Sequence, residues 1–160
     1  METTSKKTKI SNILVGTTGE YLVCAELGKM GILAVLTPKN NPLFDIVAIS
    51  NDARKSVAIQ VKTMSQNNNQ GWKLGTNFDN FTNNPNLFIV LVNITSTDND
   101  YYIFEHDEFA KRVNEVYKAY IDKPKRDGGI RKIVGFRWFD FSNFSEDDKQ
   151  RKNNWDILGF

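Results

Sequence analysis

Apolar residues near the start of the chain recur with a period close to 3.6, and further on the period shortens toward 2. Between positions 13 and 30, Leu14, Val15, Leu22, Val23, Leu27 and Met30 fall at roughly helical spacing. Ser11 or Asn12 offers an N-cap acceptor and Gly31 a stop, so the pattern predicts a helix there. Three β runs follow, at 32–36, 44–50 and 56–62. The last two flank the polar stretch 51–55 and read as a hairpin. Residues 63–86, rich in Asn and holding Gly71, Gly75 and Pro85, read as a long loop around Trp72. Strands are expected at 87–94 and 101–105, a helix from 107 or 108 to 120, a basic turn at 123–129 and a strand at 133–139. The tail from Ser145 should dock Trp155 on the core. The order α-β-β-β-loop-β-β-α-β-α predicts an α/β fold with a mixed central sheet flanked by helices.

A length of 160 residues suits one core. The expected organisation is a flexible basic segment at 1–10 followed by a single domain at 11–160. No apolar run reaches the ~18 residues of a bilayer span, and the polar start lacks a secretory core. The single cysteine, Cys24, cannot form an intramolecular disulfide. These features point to a cytoplasmic protein without a membrane partner. One His and one Cys cannot build an ordinary structural zinc site. Gly16-Thr17-Thr18-Gly19 lacks the preceding strand and the Gly-Lys-Ser/Thr ending of a phosphate loop.

The net charge of +2 decides little, but its distribution is uneven. Residues 108–132 hold eight Lys/Arg against four Asp/Glu, and Lys6, Lys7 and Lys9 form a second basic group. Such patches suit phosphates, so Lys123, Lys125, Arg126 and Arg131 are candidate nucleic-acid contacts. A solvated helix face and a loose tail would give the same composition. In the Asn-rich loop, amides can read base edges, Lys73 can meet phosphate, and Trp72 can stack or wedge. A mobile or dimer-contacting loop is the alternative reading.

Isolated polar residues inside apolar strand runs carry the chemistry. Along 44–50, Asp45, Val47 and Ile49 share one side. Along 56–62, Ser56, Ala58, Gln60 and Lys62 share one side, while Val57, Ile59 and Val61 fill the other. A buried carboxylate, amide or ammonium is costly alone, so these groups need one another, a metal or water. A symmetric hairpin around Ala53 sets Asp45 opposite Val61. An offset of one residue sets it opposite Gln60 or Lys62, and the pattern does not choose between them. On the first helix, Glu20 borders the buried stripe and can lean over the sheet edge. Gly16 and Gly19 beside it permit close approach of backbone or phosphate.

Glu20 on the first helix, Asp45 opening one strand and Gln60-Val61-Lys62 closing the next resemble the PD-(D/E)XK nuclease superfamily. Gly19-Glu20-Tyr21-Leu22-Val23, Phe44-Asp45-Ile46-Val47-Ala48 and Ile59-Gln60-Val61-Lys62-Thr63 are similar to archaeal Holliday-junction resolvases. Gln in the first place of the X-K element is similar to the Mrr-like branch of restriction endonucleases. The resemblance spans roughly residues 13–63. It implies a restriction-endonuclease-like fold and Mg²⁺-dependent hydrolysis of DNA, with Mn²⁺ as a substitute. Asp45, the Gln60 amide oxygen, the Val61 carbonyl and Glu20 would hold the metal, and Lys62 would orient water and balance charge on the phosphate. It also implies a homodimer, since two strands must be cut. Two departures stand out: Phe44, not Pro, precedes Asp45, and Gln60 replaces an acid, which weakens metal affinity. The alternative is a DNA-binding or interaction module that keeps the fold without turnover, serving in a larger defence or repair complex.

Overall fold

The computed structural model describes residues 10–39, 41–64, 70–95 and 97–160. The basic group at Lys6, Lys7 and Lys9, and all of the expected flexible start except Ile10, lie outside them. Helix α1 (Asn12–Lys29) begins where the Ser11 hydroxyl accepts the Leu14 N–H at 3.2 Å. It closes through Gly31, whose φ of 75° lets the Ile32 N–H reach back to the Leu27 carbonyl at 3.0 Å.

The main sheet has the order β1-β2-β3-β5-β6, from strands β1 (Leu33–Leu36), β2 (Ile46–Ile49), β3 (Ser56–Thr63), β5 (Leu87–Asn93) and β6 (Asp100–Glu105). All neighbours are antiparallel except β3 and β5, which run parallel, so the sheet is mixed as expected. Every residue of β5 is buried, because both faces of this strand are covered. Its side chains alternate between two cores. Phe88, Val90 and Val92 join Val23 and Leu27 of α1, whereas Ile89 and Leu91 join Trp72, Phe104, Phe109 and Phe139. The second core is closed by α2 (His106–Asp122) and a two-stranded sheet of β4 (Gly71–Leu74) with β7 (Arg137–Asp140). The short helix α3 (Glu146–Gln150) and a 3-10 turn (Trp155–Leu158) complete the chain. The turn buries Leu158, and Trp155 lies 5.2 Å from the Tyr101 ring, as expected for the tail.

Two expectations need correction. The span 63–86 is not one loop: it contains β4 and a 3-10 turn (Thr76–Asp79), and part of its Asn-rich stretch, 65–69, lies outside the described residues. Pairing of Trp72 with Phe139, across the whole of α2, makes β4 a strand, and local propensity does not report such distant pairing. The strand expected at 133–139 begins only at Arg137, and Ile133 is 84% exposed. The lone histidine, His106, is buried as the first residue of α2, with Nδ1 3.0 Å from Asp107 Oδ1. Among the described residues no helix is long and apolar enough to cross a membrane.

Candidate active site

Pairing of β2 with β3 ends at Ile46↔Ile59, whereas β3 continues to Thr63 with β5 on its other edge. One residue further in the same register, Asp45 lies across from Gln60. This is the offset hairpin rather than the symmetric one. The intervening turn places Ala53 at φ 58°, and Asp52 accepts from the Ser50 hydroxyl at 2.7 Å and the Arg54 N–H at 3.1 Å.

Asp45 closes the gap left by the missing ladder. Its N–H donates to the Ile59 carbonyl at 2.9 Å, and its Oδ2 accepts the Val61 N–H at 2.7 Å. In an extended strand the N–H and C=O of one residue point to the same edge, so the Val61 carbonyl opens toward Asp45 as well. Val57, Ile59 and Val61 pack in the core under α1, which puts Gln60 and Lys62 on the opposite face. Gln60 is buried; Lys62 is half-buried, with its Nζ 5.3 Å from the Phe78 ring centroid.

Glu20 comes in from α1. Its carboxyl pKa is raised, first by burial and then by the negative charge of Asp45, while Lys39 and Lys62 pull it down. The four charged groups therefore share one electrostatic neighbourhood. Because the folded pKa lies above the unfolded one, the associated stability is full at low pH. It is lost as pH rises through the folded value. Ionising Glu20 thus has a cost that a cation would offset.

Lys39 was not singled out by the sequence reading. It lies between two strands and its Nζ donates to Thr17 Oγ1 at 2.9 Å, which fixes it beside α1. Nothing in its spacing marks it; only the bend of the chain between β1 and β2 brings it near Glu20.

Gly19 allows α1 to approach so closely. A Cβ there would fall 1.8 Å from Thr63 Oγ1 and 3.0 Å from Thr63 Cβ. That hydroxyl is buried and has no hydrogen-bond partner. The close approach expected of Gly19 is thus to β3, while Gly16 faces open space. Gly19→Ala is expected to lower stability by about 1–3 kcal/mol, partly offset by the ~1 kcal/mol helix preference of Ala. It should also impair any activity that depends on Glu20. Thermal melts alongside activity assays check this, and an unchanged melting temperature would show that the helix yields freely.

The donor set is two carboxylates, an amide and a backbone carbonyl, all hard oxygens that suit Mg²⁺. Among the described residues no group of three or more His, Cys, Asp or Glu side chains gathers that could hold a metal ion. The donors fit the ion in kind, with less charge than three acids would bring.

The expected nucleic-acid contacts separate into two groups. Lys73 is exposed on β4, and Lys123, Lys125 and Arg126 are exposed in the turn after α2. That turn is ordered by the Lys125 N–H to Gly129 carbonyl bond at 2.9 Å and by Arg131 Nε donating to the Lys123 carbonyl at 2.8 Å. Trp72 is corrected: it is 2% exposed, donates through Nε1 to the Val92 carbonyl at 3.2 Å and stacks on Phe144. An indole so enclosed offers no face to a base.

No family model matches the sequence, and no curated protein matches it. Among solved structures the chain is similar to the Holliday junction resolvase Hjc of the archaeal hyperthermophile Archaeoglobus fulgidus. The identity is 17% and the TM-score 0.45, over 81% of this chain and 86% of that one. It is also similar to the bacterial homing endonuclease I-Ssp6803I, at 19% identity and a TM-score of 0.46, over 64% of this chain and 74% of that one.

Proposed function

We propose that this chain is a Mg²⁺-dependent DNA endonuclease that hydrolyses phosphodiester bonds at the cluster of Glu20, Asp45, Gln60 and Lys62. The observation that carries the proposal is the break in the β2–β3 ladder. There Asp45 turns onto the Val61 N–H, across from Gln60, and its charge and that of Lys62 both act on Glu20. Asp45, the Gln60 side-chain oxygen, the Val61 carbonyl and Glu20 would hold the ion. When bound, a hard divalent cation polarises the phosphate and lowers the pKa of an attendant water. Lys62 would hold the attacking water and offset negative charge building on the phosphoryl oxygens. Its ammonium lies over the Phe78 ring, 5.3 Å from the centroid. A homodimer, with one site for each strand, belongs to the same reading.

The amide at position 60 favours a second reading, a module that binds DNA without turnover. Incubation with duplex, single-stranded and branched DNA in Mg²⁺ or Mn²⁺ tests the first, and Gln60→Glu separates the two. A third carboxylate should tighten metal binding, so the variant is expected to cleave at lower Mg²⁺ than the native protein. No cleavage by either form, with salt-dependent DNA binding intact, would select the module.

A further inference from the structure

Between α2 and residues 134–138, on the side of the main sheet away from α1, lies an open cleft of about 620 Å³. That volume is ample for a small-molecule-sized ligand. Tyr117 and Tyr120 form one wall, and Phe136 and Trp138 the other. Tyr120 and Phe136 are large rings left 43% and 38% exposed. The charged residues of the lining are Arg112 and Lys123 with Glu115 and Asp140, and two further cations border the rings. Lys73 Nζ lies 4.7 Å from the Phe136 centroid, and the Arg131 guanidinium lies 4.5 Å from that of Tyr120, next to Lys123. The turn and its exit, residues 123–132, carry five Lys/Arg and one Asp. The cleft is tied to the candidate active site through one short segment. Phe78 sits under Lys62, and its neighbour Asp79 accepts from Arg137 Nε at 2.8 Å. The Arg137 guanidinium in turn covers the Tyr117 ring at 3.5 Å.

We propose that this cleft receives one unpaired nucleobase of the DNA on which the candidate active site acts. The base would stack on Tyr120 and Phe136, while the phosphates on either side of it meet Lys73 at one rim and Lys123 with Arg131 at the other. Half-exposed aromatic rings with cations lying over them match the two parts of a nucleotide, a flat π-surface and an anion next to it, and a base would take the ring area that Lys73 and Arg131 leave open. An aromatic side chain of a protein partner would use the rings but would leave the basic rims without a counterpart. The inference rests on the DNA reading and gives it content: the preferred substrate is a duplex interrupted by an unpaired base, such as a bulge, a mismatch or a branch point.

The test compares two DNA duplexes in buffer without divalent cations, so that no strand is cut. Each carries a one-nucleotide bulge, with the base present in one and abasic in the other, and binding is followed by fluorescence anisotropy. The native protein is expected to bind the base-bearing duplex roughly 5- to 150-fold more tightly, the range that base–aromatic stacking commands. Tyr120→Ala and Phe136→Ala, both at exposed positions, should erase that ratio. Lys123→Ala should weaken both duplexes alike and flatten the salt dependence by about one unit. Equal native affinities would overturn the proposal, and this is also the result expected of a cleft built for a protein side chain. A preference that survives both aromatic substitutions would overturn the location. If the preference is present but Mg²⁺-dependent cleavage is absent, the cleft stands and the hydrolytic reading fails. Absence of all DNA binding would end both.

Discussion

Asp45→Asn is expected to abolish DNA hydrolysis while leaving the fold intact, with a rate loss on the order of a hundred-fold or more. That is the scale on which removing a single fixed group at a charge-developing centre is felt. The choice of Asn matters. The Asp45 carboxylate has a structural task as well, since its Oδ2 accepts the Val61 N–H. Ala would orphan that N–H at a cost of about 1–3 kcal/mol and so mix a folding defect with a chemical one. An Asn oxygen can keep the bond while the charge is lost. The readouts are cleavage in Mg²⁺, the Mg²⁺-induced rise in melting temperature and the melting temperature without metal. The first two should collapse and the third should hold. Cleavage that persists in Asp45→Asn would remove this residue from the mechanism.

The second large effect concerns stability. Trp72→Ala should lose about 3–5 kcal/mol, because it empties the middle of an aromatic cluster and removes one of the two groups, its own Nε1 and the Met64 N–H, that donate to the Val92 carbonyl. Tyr102, Phe141 and Phe144 all pack on this one indole. For a domain of this size the melting temperature should fall by roughly 6–20 °C. Trp72→Phe refills most of the volume and gives the decisive contrast. Its DNA affinity should equal that of the native protein, whereas an indole that wedged between bases would show a clear loss. Melts and binding titrations on the same preparations check both parts.

The chain announces its local features and conceals its distant ones. Ser11, Gly31 and the apolar stripe of α1 are read within a few residues of each other, and so are the alternating runs of β2 and β3. Glu20, Asp45, Gln60 and Lys62 were legible because each is a polar residue in or beside an apolar pattern. The register that decides whether Asp45 meets Gln60 was not legible, since it depends on how the turn at Ala53 is wound. Two other features depend on pairings far apart in sequence. Trp72 looked like a loop residue because its strand partner, Phe139, comes after the whole of α2. Lys39 looked unremarkable because its neighbour Thr17 lies across the first strand and on the preceding helix. Composition hinted at the basic turn but not at the aromatic walls it borders.

β2 has four residues and β3 has eight. The candidate reaction centre is thus a vacancy in the architecture, made by shortening a strand rather than by adding a loop. At that edge the Asp45 side chain, rather than a strand backbone, takes up the Val61 N–H. Lengthening β2 toward its N-terminus would knit the sheet more tightly and fill that vacancy. On the proposed reading, greater rigidity at that edge and the capacity to act would be mutually exclusive.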